Sequence, residues 1–173
     1  MKNLKFILFF LIIISFIGCG TSHNYTKNDL NKSFFSEKTI FIKIDSKSKN
    51  AIYLNGITGG QRINQPDVKE TFKNSINELS IETNVKINLV DSFEGVNNDN
   101  GNLMFEAHIL EIDWHFGFST ATLKTVIDFK NMSNNNQIRT TGIRKSGGGD
   151  ETNNLRKSLK NATYNLLKEL EKQ

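Results

Sequence analysis

The chain has 173 residues, a formal charge of +4 from 22 Lys and Arg against 18 Asp and Glu, and a single cysteine. That length fits one domain, the charge is too weak for the clustered basic face of a nucleic-acid binder, and one cysteine leaves no disulfide framework within the chain. The first element is a leader over residues 1–18: Lys2 and Lys5, an apolar run from Phe6 to Ile17, then Gly18 before Cys19. A charged start, an apolar core of about 7–15 residues and a small residue at the cut describe a secretory signal peptide. The run is shorter than the ~20 residues of a spanning helix, so an uncleaved anchor is the weaker reading. Loss of Lys2 and Lys5 with the leader lowers the positive balance by two.

Phe16-Ile17-Gly18-Cys19 resembles the signal of bacterial lipoproteins, departing from the commonest form in the bulk of Phe16 and Ile17. The resemblance implies that the Cys19 thiol is diacylated and that the bond between Gly18 and Cys19 is cut. Gly20 stands where an aspartate would imply retention at the inner membrane. The implied location is therefore lipid-anchored, at the outer membrane and facing the periplasm.

Residues 19–38 are expected to form a lipidated flexible tether, polar and without periodicity apart from Phe34-Phe35. The domain proper, 39–173, opens with Ile40, Ile42 and Ile44 on one face of a strand. Ala51-Ile52-Tyr53-Leu54 is a short second strand or part of a long loop, and Gly56, Gly59 and Gly60 mark turns. A helix is expected to begin at Pro66-Asp67, with Val68, Phe72, Ile76 and Leu79 as its apolar stripe. Val85, Ile87 and Leu89 alternate as a strand, and a loop spans 92–101.

Leu103, Phe105, Ala107 and Ile109 alternate next, and then the phase slips to Leu110, Ile112, Trp114, Phe116 and Phe118. Such a slip predicts a β-bulge or a strand buried on both faces. Leu123, Thr125, Ile127 and Phe129 return, a turn follows at 131–136, and Gln137 to Lys145 forms the last strand. The Gly147-Gly148-Gly149 run is followed by a helix over 150–171, with Leu155, Leu159, Ala162, Leu166 and Leu170 on one side. Asp150 and Glu151 suit the dipole at its start.

This order predicts an α+β two-layer sandwich, with a mixed or antiparallel sheet of 4–5 strands and two helices on one face. On a small lipoprotein it resembles a loose group of envelope lipoproteins: the YajG type, LptE, LpoB and CsgG, with the N-terminal domain of TolB. The local echo is an Asn-Leu-x-Phe strand at Asn102 to Phe105, its meander and the amphipathic last helix. The resemblance implies a non-catalytic module that docks on a larger envelope machine, so the expected partners are the membrane, through the anchor, and an envelope protein.

Glu111, Asp113 and His115 alternate on one strand face, near His108, and three such groups suit a divalent metal. The competing reading makes them the solvated reverse of Leu110, Ile112 and Trp114, and no metal or cofactor is assigned. The glycine clusters do not form a phosphate loop, because Lys145-Ser146 precede their glycines where the motif needs them after. No Gly-x-Ser-x-Gly elbow occurs and the cysteine is taken by the lipid, so no catalytic residue is assigned. Trp114, Phe116 and Phe118 are core, or, if the strand emerges near Gly117, a surface for a partner or for lipid. Two other readings stay open: a carrier of a small apolar or lipid ligand, and a metal-dependent enzyme.

Overall fold

The computed structural model describes residues 21–56, 63–97, 101–147 and 149–172. The leader, Cys19, Gly59, Gly60 and Gly148 lie outside them. The chain is mixed α/β: a short helix α1 (Lys32–Phe35), then β1 (Thr39–Ile44), β2 (Tyr53–Gly56), α2 (Val68–Thr83), β3 (Lys86–Leu89), β4 (Asn102–Phe116), β5 (Ala121–Asn131), β6 (Gln137–Ser146) and α3 (Glu151–Leu170).

One mixed sheet has the order β3-β1-β4-β5-β6, with β2 paired to β4 beyond β1. β1 runs parallel to β3 and β4, and the β4-β5-β6 meander is antiparallel. The sheet has six strands, not four or five. The extra one follows from the length of β4: β1 pairs only with residues 102–107, and β2 takes the free edge further along, setting Tyr53 against Asp113 and Gly56 against Phe116.

The phase slip in β4 is a bulge. Ile109 pairs with Ile127 and Glu111 with Val126, which leaves Leu110 as the extra residue. The bulge returns Ile112 and Trp114 to the buried face of Phe105, Ala107 and Ile109, so fifteen residues cover one core without reversing sides. The buried side chains of that face and those of both long helices belong to one cluster. Phe72, Ile76 and Leu79 of α2 and Leu155, Leu159, Leu166 and Leu170 of α3 share one cluster with Ile42, Ile87 and Phe105, as the stripes predict.

The helix ends follow local chemistry. Asp67 caps α2 by accepting from the Glu70 N–H, so Pro66 lies just before the helix and not in its first turn. Asn84 closes α2 in the left-handed conformation, and Asp150 caps α3. Gly142 of β6 lets α3 settle on the sheet: a Cβ there would stand 1.9 Å from the Ser158 carbonyl oxygen. Ser158 Oγ reaches the carbonyls of Leu123 and Gly142 and the Thr125 hydroxyl, fixing the contact.

Residues 21–38 are not a free tether. They run along the outside of α3 and end in α1, with Leu30 and Phe35 in the core and Phe34 packed against it. The sequence pattern missed this arm because its contacts are mostly polar and ring-to-ring.

With no disulfide within the chain, Phe72→Ala should cost ~3–5 kcal/mol and Leu159→Ala ~2–5 kcal/mol, read as a lower urea midpoint. Gly142→Ala should also destabilise, although it adds only a methyl group, because the backbone of α3 blocks the space.

Candidate functional site

The three aromatics proposed as a surface separate in the structure. Trp114 is 2% exposed and belongs to the core. Phe116, at the strand end, is half-buried with its ring 4.7 Å from that of Trp114. Phe118 is 99% exposed. The strand ends at Phe116, and a turn closed by Gly117 N–H donating to the Thr120 carbonyl at 2.9 Å aims Phe118 outward. The candidate surface therefore reduces to Phe118 and the half-buried Phe116. The glycine inside the aromatic run was the signal that the alternation stops there.

Glu111, Asp113 and His115 lie on the face of β4 turned away from the buried Ile112 and Trp114. Lys124 donates to both oxygens of Glu111 at 2.9 and 3.0 Å, and His115 Nδ1 is hydrogen-bonded to Asn55 Oδ1 of β2. The same face carries the pairs Lys43–Glu106 and Arg139–Asp128, so its cross-strand partners are ionic. His108 instead lies 3.8 Å from Asp45. Among the described residues no group of three or more His, Cys, Asp or Glu is placed to hold a metal.

One titration stands out on this face. Burial, a hydrogen bond with Glu111 and the Glu111 charge together push the Asp113 carboxyl above its usual range, against the opposing pull of Lys124. Asp113 and Glu111 line an open cleft of about 410 Å³ at the bulge, with Lys49 and Tyr53 across from them. A second open cleft, about 310 Å³, lies at the carboxyl ends of β1 and β3 between Asp45, Lys49, Lys69 and Asp91.

Of the glycines, Gly56 has φ +96° and its missing Cβ would meet the Phe116 backbone at 2.3 Å, so it marks a close strand approach. Gly149 also has positive φ, before the Asp150 cap.

A buried ion cluster, absent from the sequence reading, joins the helices. Lys160 of α3 is 1% exposed, and its ammonium donates to Glu78 at 2.8 Å and to Glu82 at 2.8 Å, both on α2. Arg156 also pairs with Glu78. Burial works to raise the Glu78 carboxyl, but Lys160 and Arg156 hold it below its ordinary range. The spacing Glu78, Glu82 on one helix and Arg156, Lys160 on the other was legible as two i,i+4 pairs; that they face each other was not.

The arm closes over this cluster. Tyr25 N–H donates to Glu82, and its ring stacks on Tyr164 at 4.0 Å. Asn161 donates to the Tyr25 hydroxyl, Tyr164 to Asp29, and the Asn31 N–H to Glu171. At its start Thr21 N–H donates to the Lys145 carbonyl of β6, and Lys145 N–H to Thr21 Oγ1. His23 is buried between Thr21 and Tyr25. Burial, opposed by a hydrogen bond to the Ile143 backbone and aided by Arg144 and Lys160, lowers its pKa to about 4.

No protein-family model matches the chain, and neither does any curated protein. Solved structures similar to it include an uncharacterised protein, at 7% identity and TM-score 0.44 over 77% of this chain and 92% of that one. Two others are PelC dodecamers from Paraburkholderia phytofirmans. One, a point variant, has 8% identity and TM-score 0.38 over 76% and 87%; the other has 9% and 0.39 over 73% and 85%. Similarity at this level carries nothing about activity or assembly.

Two pH responses follow, of opposite sign. Between pH ~6.5, the ordinary histidine value, and about 4, the unfolded chain binds a proton at His23 that the folded chain does not. Stability should therefore fall as pH drops through that window, and His23→Gln should flatten this part of a urea-midpoint profile. At Asp113 the folded chain holds the proton more tightly, so its penalty is full at neutral pH and fades as pH falls towards ~3.9. Asp113→Asn should raise the urea midpoint at pH 7; a lower midpoint would show that the carboxylate is needed for packing.

Proposed function

We propose that this is a lipid-anchored protein of the bacterial envelope, acting by binding as a docking module rather than by catalysis. The reading takes Cys19 as its diacylated first residue and the outer membrane, periplasmic face, as its place. Its partner is an envelope protein. The domain is taken as a two-layer arrangement, with both long helices on the buried face of the sheet. One observation supports the binding role best: the space between helices and sheet, where a carrier would hold an apolar ligand, is filled. Phe72, Phe105, Ile76, Leu79, Leu155 and Leu159 occupy it at zero exposure. An aromatic side chain, Phe118, meanwhile stands wholly outside the core.

The enzyme reading has one observation in its favour, the raised carboxyl of Asp113 beside Glu111 in an open cleft. Lys124 already occupies Glu111 and Asn55 engages His115, so the groups beside Asp113 are held by structural partners.

Mass spectrometry of the protein extracted from membranes tests the reading. Intact protein should begin at a diacylated Cys19, co-purify with an envelope protein in fixed ratio, and hold no further apolar molecule after delipidation of the detergent micelle. A one-to-one apolar ligand would favour the carrier instead, and an unmodified Cys19 would remove the anchor.

A further inference from the structure

The first described residue, Thr21, is bound to one particular end of the sheet. Thr21 pairs with Lys145, the last residue but one of β6, and the arm then runs past Tyr164 to Glu171, away from that end. Lys145 is opposite Thr122, Thr122 opposite His115, and His115 opposite Asn55, which makes one lateral row across four strands. With strands ~4.8 Å apart, Thr21 lies about 10 Å sideways from the base of the β4–β5 hairpin. The tip of that hairpin, with Phe118, projects past the row.

Resting on the lipoprotein reading above, chain length then limits where the anchor sits. Two peptide units join Cys19 to Thr21, a reach of at most about 7 Å. The polar layer on each side of a bilayer is roughly 5–8 Å deep. Residues 21–38 supply no slack, because they are packed along α3 from Lys145 to Glu171. The Cys19 side chain and its glyceryl group add several ångströms to that reach, still far less than the length of the domain, so the region around Lys145 is held close to the membrane.

That end is suited to lipid. Residues 116–123 carry no charged side chain; Phe118 is wholly exposed and Phe116 half-buried, while Ala121 and Leu123 turn into the core. The charges at this end, Lys145, Asp150 and Glu151, stand at the end of β6 and the start of α3, so the uncharged part is the hairpin tip itself; the opposite end carries Lys32, Glu37, Lys86, Glu169 and Lys172. The geometry points to Phe118 as a second membrane contact, inserted at the acyl–headgroup boundary of the bilayer that holds Cys19 and orienting the domain with its hairpin end down. An aromatic ring at that depth needs no polar partner, and acting beside the anchor it adds no new cost of bringing the domain to the surface.

The test uses acylated full-length protein reconstituted in phosphatidylcholine vesicles with or without bromine on the acyl chains. Phe118→Trp places a reporter at the tip, and Met132→Trp places one in the β5–β6 turn at the far end of the sheet; wild-type Trp114, buried, sets the baseline. Phe118→Trp emission should shift to the blue on reconstitution and be lost with brominated chains, while Met132→Trp emission is unchanged by either. Equal emission of Phe118→Trp in both vesicles, from protein whose mass confirms acylated Cys19, overturns the insertion and leaves the anchor standing. Protein whose mass shows no acyl group overturns both. Quenching at both positions would also overturn it, since it would mean that the domain has no preferred end.

Discussion

The Lys160 ammonium is the constraint on which much of the architecture turns. A cation with 1% exposure is tolerable only if its partners hold still. Glu78 and Glu82, one turn apart on α2, supply them, and this fixes the rotation and height of α2 against α3. A pair of leucine-lined helices slides easily, because apolar contact is non-directional; three charges in one place do not. The same cluster decides where the arm lies, since Glu82 also accepts the Tyr25 N–H. Such a cluster adds specificity of arrangement more surely than net stability, which comes from the filled apolar layer beneath it.

β4 is the second organising element. Its length gives two separate strands an edge to pair with in parallel, β1 near its start and β2 near its end. Its bulge keeps one apolar face continuous over that length. Where the strand finally stops, at Gly117, the alternation that buried Trp114 no longer applies, and Phe118 is released to solvent. The same sequence run thus supplies both core and exposed tip, and the division between them is one turn.

The edge strand β6 shows how the open side of the sheet is managed. Its outward backbone groups are met by α3 and the arm: Asn161 accepts from the Ile143 N–H, Asn165 donates to the Thr141 carbonyl, and Thr21 pairs with Lys145. Side chains of a covering helix here do what a neighbouring strand would do, and blunt a strand that would otherwise invite another chain. The arm is therefore part of the domain in two ways, as edge cover and as lid on the ion cluster.

The sequence by itself determined the order of the longer elements, the two apolar stripes, the phase slip and the turn signals, because each depends on periodicities within a dozen residues. Leu159 and Phe72 were legible as core from spacing alone, and so were Glu111 and His115 as a solvated strand face. Tertiary structure alone decided the rest. Whether β2 was a strand depended on a free edge of β4, which no local pattern records. The polar residues from Thr21 to Asp29 read as a tether because their partners, Lys145, Asn161 and Tyr164, lie more than a hundred residues away. The fate of the three aromatics depended on where the sheet stops: Trp114 and Phe118 share a phase in the sequence, but only Trp114 lies within the sheet and reaches the core.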